Sequence, residues 1–224
     1  MLTGNDLNDA YELVINAIVT QKLAPSQKVS ENILTEMFDI SRTVSRNLIE
    51  RLVAKHFLVS VSPRVTQVAP LTLHEIKQNF TLRKMLLPEL IALGTQNVDF
   101  EKLHSLNDII QNKLPIKDDQ SAFEILKTNK KLNIALCEGA GYSLALDWVC
   151  QLEDMAMRIY WLYVSANKSF PYSSEQQKLI FNVMESNEVS QTRQAIHDMI
   201  CQTEERVLKV VFSRQQFYTQ DLKI

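Results

Sequence analysis

Arg42, Thr43, Ser45, Arg46, Asn47 and Arg64 are the side chains of this sequence best suited to reading nucleic acid. Arginine offers guanidinium donors to guanine edges or phosphate, asparagine pairs with adenine, and serine and threonine hydroxyls suit backbone oxygens. At about 100° per residue, Val44, Leu48, Ile49, Leu52 and Val53 cover one side of a helix. Thr43, Arg46, Asn47 and Glu50 are left on the other side, with Arg42 at its start. From Ser41 to Arg64, five basic residues stand against Glu50 alone, a local charge of +4. The N-terminal end of such a helix itself attracts phosphate. Enzyme motifs fail by comparison. His74-Glu75-Ile76-Lys77-Gln78 begins like a zinc-protease helix but lacks the second histidine, and Gly139-Ala140-Gly141 lacks the third glycine and the preceding strand of a dinucleotide loop. No Ser, His and Asp or Cys and His grouping stands out, so no catalytic residue is assigned.

The elements that must position these side chains are legible around them. Leu7, Tyr11, Leu13, Ile15, Ala17 and Ile18 fit an amphipathic helix ending near Gln21, before a turn at Ala24-Pro25-Ser26. Ser30 is placed to cap a second helix with Ile33, Leu34 and Met37 on its buried face, and Ser41 to cap the third. Only Asp39-Ile40 separates those two helices, the outline of a helix-turn-helix with Ile40 as the apolar plug of the turn. Leu58-Val59-Ser60-Val61 and Val65-Thr66-Gln67-Val68, around Ser62-Pro63-Arg64, form a hairpin or wing with Arg64 at its tip. Surface arginines are usually a solvated face. Here helix, turn, helix and wing follow in order, and the charge sits on the helix that would meet DNA.

A boundary is expected at Ala69-Pro70-Leu71, giving an N-terminal domain over 1–70 and a second domain over 71–224. Thr72 and Glu75 have capping-box spacing. Beyond them, apolar-periodic segments over roughly 73–96, 100–113, 119–139, 143–167, 174–186 and 188–218 imply an antiparallel helical bundle. The expected fold class is mainly α: a winged helix-turn-helix followed by an all-helical bundle.

Composition restricts the remaining choices. The net charge of -2 argues against a nucleic-acid binder only until the local +4 is seen. Four glycines in 224 residues leave little to build phosphate-cradling loops. Cys137, Cys150 and Cys201 form no C-x-x-C and read as small buried hydrophobes of a reducing compartment. No apolar run approaches membrane-spanning length and no basic residue precedes Lys22, so neither a membrane span nor a signal peptide is expected, and the cytoplasm is the expected location.

The segment Lys22-Leu23-Ala24-Pro25-Ser26-Gln27-Lys28-Val29-Ser30-Glu31, with Leu34 and then Ile40-Ser41-Arg42-Thr43-Val44-Ser45-Arg46, resembles the GntR-family signature, in which G-x-L-x-P-G-x-x-L-x-E precedes V-S-R-T-P-V-R-E-A-L. The resemblance covers residues 7–70. It implies that Arg42, Thr43 and Arg46 match operator-contacting positions and that the wing near Arg64 matches another. Ser26 stands where the family has a turn glycine, Val44 for its proline, Asn47 for its glutamate and Leu48 for its alanine, and the wing glycine is absent.

From Glu75-Ile76 through Leu82-Arg83-Lys84-Met85-Leu86-Leu87-Pro88 to about residue 210, the chain resembles the FadR-type ligand-binding domain of that family. Many members hold a divalent metal with an Asp, a His four residues later and two further His. The matching positions here are Asn129, Asn133, Gln177 and Met199, none of them an ionisable ligand, so no metal and no other cofactor is expected. A pocket is expected to remain. Asn129, Asn133 and Gln177 would bond a small organic effector, and Arg83, matching a recurrent family arginine, would pair with its carboxylate. Arg158 and Tyr160, on the aromatic-rich segment Met155–Val164, are further candidates. Trp148, Tyr160, Trp161 and Tyr163 read more readily as core or dimer interface than as effector contacts. The resemblance implies a homodimeric regulator of double-stranded operator DNA. The competing reading is an all-helical enzyme or interaction module whose winged helix binds a protein.

Overall fold

The structure is a computed structural model that describes residues 4–213. The chain divides into two compact units with the boundary between Leu73 and His74, a few residues past the expected Ala69-Pro70-Leu71.

In the first unit, α1 (Gly4–Val19) is followed by β1 (Lys28–Val29), α2 (Glu31–Phe38), α3 (Arg42–Ala54), β2 (Leu58–Ser62) and β3 (Val65–Val68). The Ser30 and Ser41 hydroxyls accept from the backbone N–H of Ile33 and Val44, each at 3.3 Å, satisfying donors the helix starts leave open. Asp39, left-handed at φ 52°, ends α2 and turns the chain into α3. Leu34, Val44, Leu48 and Leu52 bury the helix crossing, joined by Val14, Ile18 and Val19 of α1 and by Phe57, Leu58 and Val68 at the sheet. Ile40 in the turn is half-buried. Two positions expected inside are outside: Leu13, replaced by Val14 on the buried face of α1, and Met37. The sheet runs β1-β3-β2, all antiparallel, with a register irregularity between Ser60 and Ser62 beside the wing tip. β1 has no counterpart among the expected elements. Two residues are too short for an alternating pattern, and Lys28 and Val29 are strand only because Gln67 and Thr66 pair with them.

The second unit holds α4 (Leu73–Gly94), a short 3₁₀ turn, α5 (Phe100–Asn112), α6 (Asp119–Glu138), α7 (Ser143–Asn167), α8 (Ser174–Glu185) and α9 (Val189–Ser213). The bounds lie within a few residues of the periodic segments; the stretch 214–218 expected to extend α9 is outside the described residues. Asp99, Asp118 and Ser173 cap α5, α6 and α8 through their side chains. α6 packs between α5 and α7, while α9 packs on α7 and α8. Gly94 and Gly139 mark the closest backbone approach. A Cβ on Gly94 would lie 2.4 Å from the backbone nitrogen of Ala140, so the Gly139-Ala140-Gly141 segment serves helix packing. Among the described residues no helix is long and apolar enough to cross a membrane.

Candidate nucleic-acid interface and buried polar cluster

Arg42, Thr43, Arg46 and Asn47 are all exposed on α3, opposite the face that buries Val44, Leu48 and Leu52. Ser45 is not with them. It is fully buried, with its Oγ 3.0 Å from Thr35 Oγ1, so its hydroxyl joins α2 to α3 and is out of reach of a phosphate. Arg64 is exposed between β2 and β3.

Two of the arginines counted in the basic segment have partners inside the unit. Arg51 donates to Asn8 Oδ1 at 3.0 Å and lies 3.8 Å over the Tyr11 ring, so it ties α3 to α1. Arg46 donates from Nε to Glu31 Oε1 at 2.7 Å and from Nη2 to Glu31 Oε2 at 3.3 Å. This hydrogen-bonded contact holds the Glu31 carboxyl below the usual carboxylate range. Arg46 nevertheless remains 65% exposed. The carboxylate takes one side of the guanidinium and leaves the Nη1 and Nη2 fork open, the edge that fits guanine O6 and N7 or two phosphate oxygens.

The second unit gathers a different set. Arg83 (α4) donates from Nη1 to the Tyr160 hydroxyl at 2.6 Å, and its Nη2 lies 2.9 Å from Glu153 Oε1 (both on α7). Asn133 (α6) donates from Nδ2 to Glu153 Oε2 at 2.8 Å, and the Tyr172 hydroxyl donates to Asn129 Oδ1. All six are buried. Burial works against the Arg83 charge, but Glu153, Tyr160 and Tyr172 outweigh it and keep the guanidinium protonated. Burial pushes the Glu153 carboxyl above its ordinary range, with Arg83 and Asn133 pulling the other way. It also pushes the Tyr172 hydroxyl well above the ordinary tyrosine value. Phe170 packs edge-on against both Tyr160 and Tyr172, at 5.7 and 4.9 Å between ring centroids.

Of the effector candidates, Arg83, Asn129, Asn133 and Tyr160 come together. Arg83 does pair with a carboxylate, but with the chain's own Glu153. Gln177 (α8) is fully buried, and neither Oε1 nor Nε2 has a hydrogen-bond partner among the described residues. Arg158 is buried, with Nη1 3.9 Å from Met155 Sδ, and Met199 (α9) is half-buried. Glu153, Tyr172 and Thr192 were not singled out in the sequence. Glu153 had a signal, since it falls in the stripe Val149, Glu153, Met157, Tyr160, Val164, where an acid on an otherwise apolar face needs a buried partner. Tyr172 and Thr192 had none. The donor set does not fit a divalent metal. Amides and a thioether supply no charge, Glu153 is committed to Arg83 and Asn133, and among the described residues no three His, Cys, Asp or Glu side chains form a ligand group.

Trp148 separates from the other aromatics. Tyr160 and Trp161 are buried, whereas Trp148 is 51% exposed and lines a surface groove of about 400 Å³ with Leu82, Met85 and Leu86 of α4 and Gln151 and Leu152 of α7.

No protein-family profile matches the sequence, and no curated protein matches it. Solved structures do match. The Escherichia coli protein McbR/YncC superposes with a TM-score of 0.70 at 16% identity, over 93% of this chain and 99% of that one. A structure described as a putative transcriptional regulator GntR from Rhodococcus sp. RHA1 gives 0.72 at 13% identity, over 92% and 98%. A Listeria monocytogenes protein, Lar, described as controlling expression of the agr system, gives 0.64 at 15% identity, over 93% and 98%. Over nearly its whole length, the chain therefore has the fold of solved transcriptional regulators, a winged helix followed by an all-helical unit.

Proposed function

We propose that the protein is a transcriptional regulator of the GntR family and not an enzyme. It reads double-stranded operator DNA as a homodimer, and a small organic effector bound in the helical unit modulates its affinity. The observation that carries this reading is the exposed Arg42, Thr43, Arg46 and Asn47 set on the third helix of a winged helix-turn-helix, with the free fork of Arg46 pointing to a bidentate acceptor. Thr43 and Arg42 at the start of α3 meet phosphate where the helix N-terminus favours it, Asn47 and Arg46 one turn on meet base edges, and Arg64 extends the contact from the wing. The buried polar cluster supports the effector function, because a regulator needs a second site whose occupancy is coupled to the first.

The test is binding of the full chain to mixed genomic fragments across a salt series. Affinity should fall steeply with salt, and Arg46→Ala should lower the slope of log affinity against log salt by about one. Absent or salt-independent binding overturns the reading.

A further inference from the structure

We propose that Glu50 is a specificity-determining residue: it selects a C·G pair in the operator by accepting a hydrogen bond from the cytosine amino group, and it weakens binding to other sequences. The proposal deepens the regulator reading above and rests on it.

Position is the first ground. Thr43, Arg46, Asn47 and Glu50 stand at i, i+3, i+4 and i+7 of α3, all exposed, opposite the face of Val44, Leu48 and Leu52. That is a spacing at which a helix lying in the major groove brings several side chains to neighbouring base pairs. Three of the four can donate hydrogen bonds, and the fourth is an acid. The GntR signature has its glutamate at Asn47 and ends at Ile49, so Glu50 has no counterpart in it.

Charge is the second. Glu50 is the single acid between Ser41 and Arg64, among five basic residues. Arg46, one turn before it, hydrogen-bonds Glu31 instead, and Arg51 beside it bonds Asn8. Glu50 acts on Arg46 only through its charge and forms no hydrogen bond or ion pair among the described residues. On a face that approaches phosphate, an unneutralised carboxylate is repelled by DNA of any sequence. It is offset where a base edge donates to it. Guanine presents two acceptors in the major groove and adenine sets an acceptor beside its amino group, whereas cytosine presents the amino donor alone. Cytosine is therefore the edge a carboxylate fits. Arg46 and Glu50 are about 6 Å apart along the helix axis, which places that cytosine within about two base-pair steps of the guanine suited to the Arg46 fork.

The experiment uses the full chain, Glu50→Ala and Glu50→Gln, each to select sites from a random DNA library and to bind mixed DNA at one salt concentration. The unaltered chain should enrich a cytosine within about two base pairs of a guanine. Glu50→Ala should lose the preference at that cytosine alone and bind mixed DNA about three- to tenfold more tightly. Glu50→Gln should move the preference from cytosine to adenine, because a carboxamide both accepts from and donates to the adenine edge. Both variants should keep the helix content and urea midpoint, since Glu50 is exposed and unbonded. A cytosine preference retained in Glu50→Ala, or mixed-DNA affinity that does not rise, overturns the proposal and leaves the regulator reading standing. A preference lost together with stability also overturns it, the role of Glu50 then being structural. Absent or salt-independent DNA binding by the unaltered chain overturns both.

Discussion

Glu31 decides which donors of Arg46 remain open for the proposed DNA contact. An ion pair with Arg46 65% and Glu31 33% exposed adds little to stability, so its consequence is orientation. Holding the guanidinium from one side removes rotamers in which the fork points elsewhere. Glu31→Gln weakens that hold while leaving Arg46 charged. Affinity for mixed DNA is therefore expected to change little, whereas discrimination between the preferred site and mixed DNA should fall by up to about tenfold, the scale of one bidentate base contact. Competition binding of the selected operator against random fragments measures it; a uniform loss on both would show that Glu31 acts only on folding. Ser26 offers a second test. It sits at φ 60°, where a serine costs about 1 to 2 kcal/mol and glycine nothing, at the position where the family signature has its turn glycine. The conformation is held by its N–H bonding the Val68 carbonyl at 3.0 Å. Ser26→Gly should raise stability by up to about 1 kcal/mol after the extra chain entropy of glycine is set against it, and Ser26→Val should lower it, as read from urea midpoints.

At the scale of elements, the Arg83 and Glu153 pair joins α4 to α7, and Asn133 brings in α6. Removing one buried partner leaves the other uncompensated. Arg83→Met alone is expected to cost about 3 to 5 kcal/mol, and Arg83→Met with Glu153→Leu to recover most of it. If the double variant is no more stable than the single, the pair is not the source of the loss. The acid also sets a pH dependence. Because burial raises its folded-state pKa, the folded chain holds the Glu153 proton more tightly than the unfolded one. Stability from this group is present below the ordinary carboxylate range and declines as pH rises through the raised value. Glu153→Gln should remove that declining component from a denaturation series run upward from about pH 4. What was legible in the sequence follows the same physics. Local chemistry gave the boundaries of α2 and α3, because Ser30 and Ser41 cap by bonds three residues away. Periodicity gave the helices of the second unit. Glu153 is legible as an acid in an apolar stripe, whereas its partner Arg83, the Thr35 contact of Ser45 and the burial of Tyr172 depend on which face meets which neighbour, a property of helix crossings that no single segment encodes.

For the whole molecule, the proposed reading asks a chain of net charge -2 to hold DNA with few cations, and Arg51 is spent on Tyr11 and Asn8. On the proposed reading one such reader would bind weakly, and the proposed pairing of two would raise operator affinity. The surface suited to that pairing is apolar and exposed: Met85 at 67%, Leu144 at 63%, Trp148 at 51% and Leu82 at 41%, along α4 and α7. Residues 144 and 148, like 82 and 85, stand one turn apart, so each helix presents a stripe, and the groove of about 400 Å³ lies between Met85 and Trp148. Apolar stripes of this kind on adjacent helices mark association surfaces. Met85→Glu with Trp148→Glu should convert a dimer in sedimentation equilibrium to a folded monomer with unchanged helix content. Operator affinity should fall by about a hundredfold or more, while the weak binding of a single half-site stays as it was. A variant that remains dimeric would move the interface elsewhere. A monomer that keeps full operator affinity would mean that one winged helix suffices, and that the +4 segment binds more strongly than its free arginines account for.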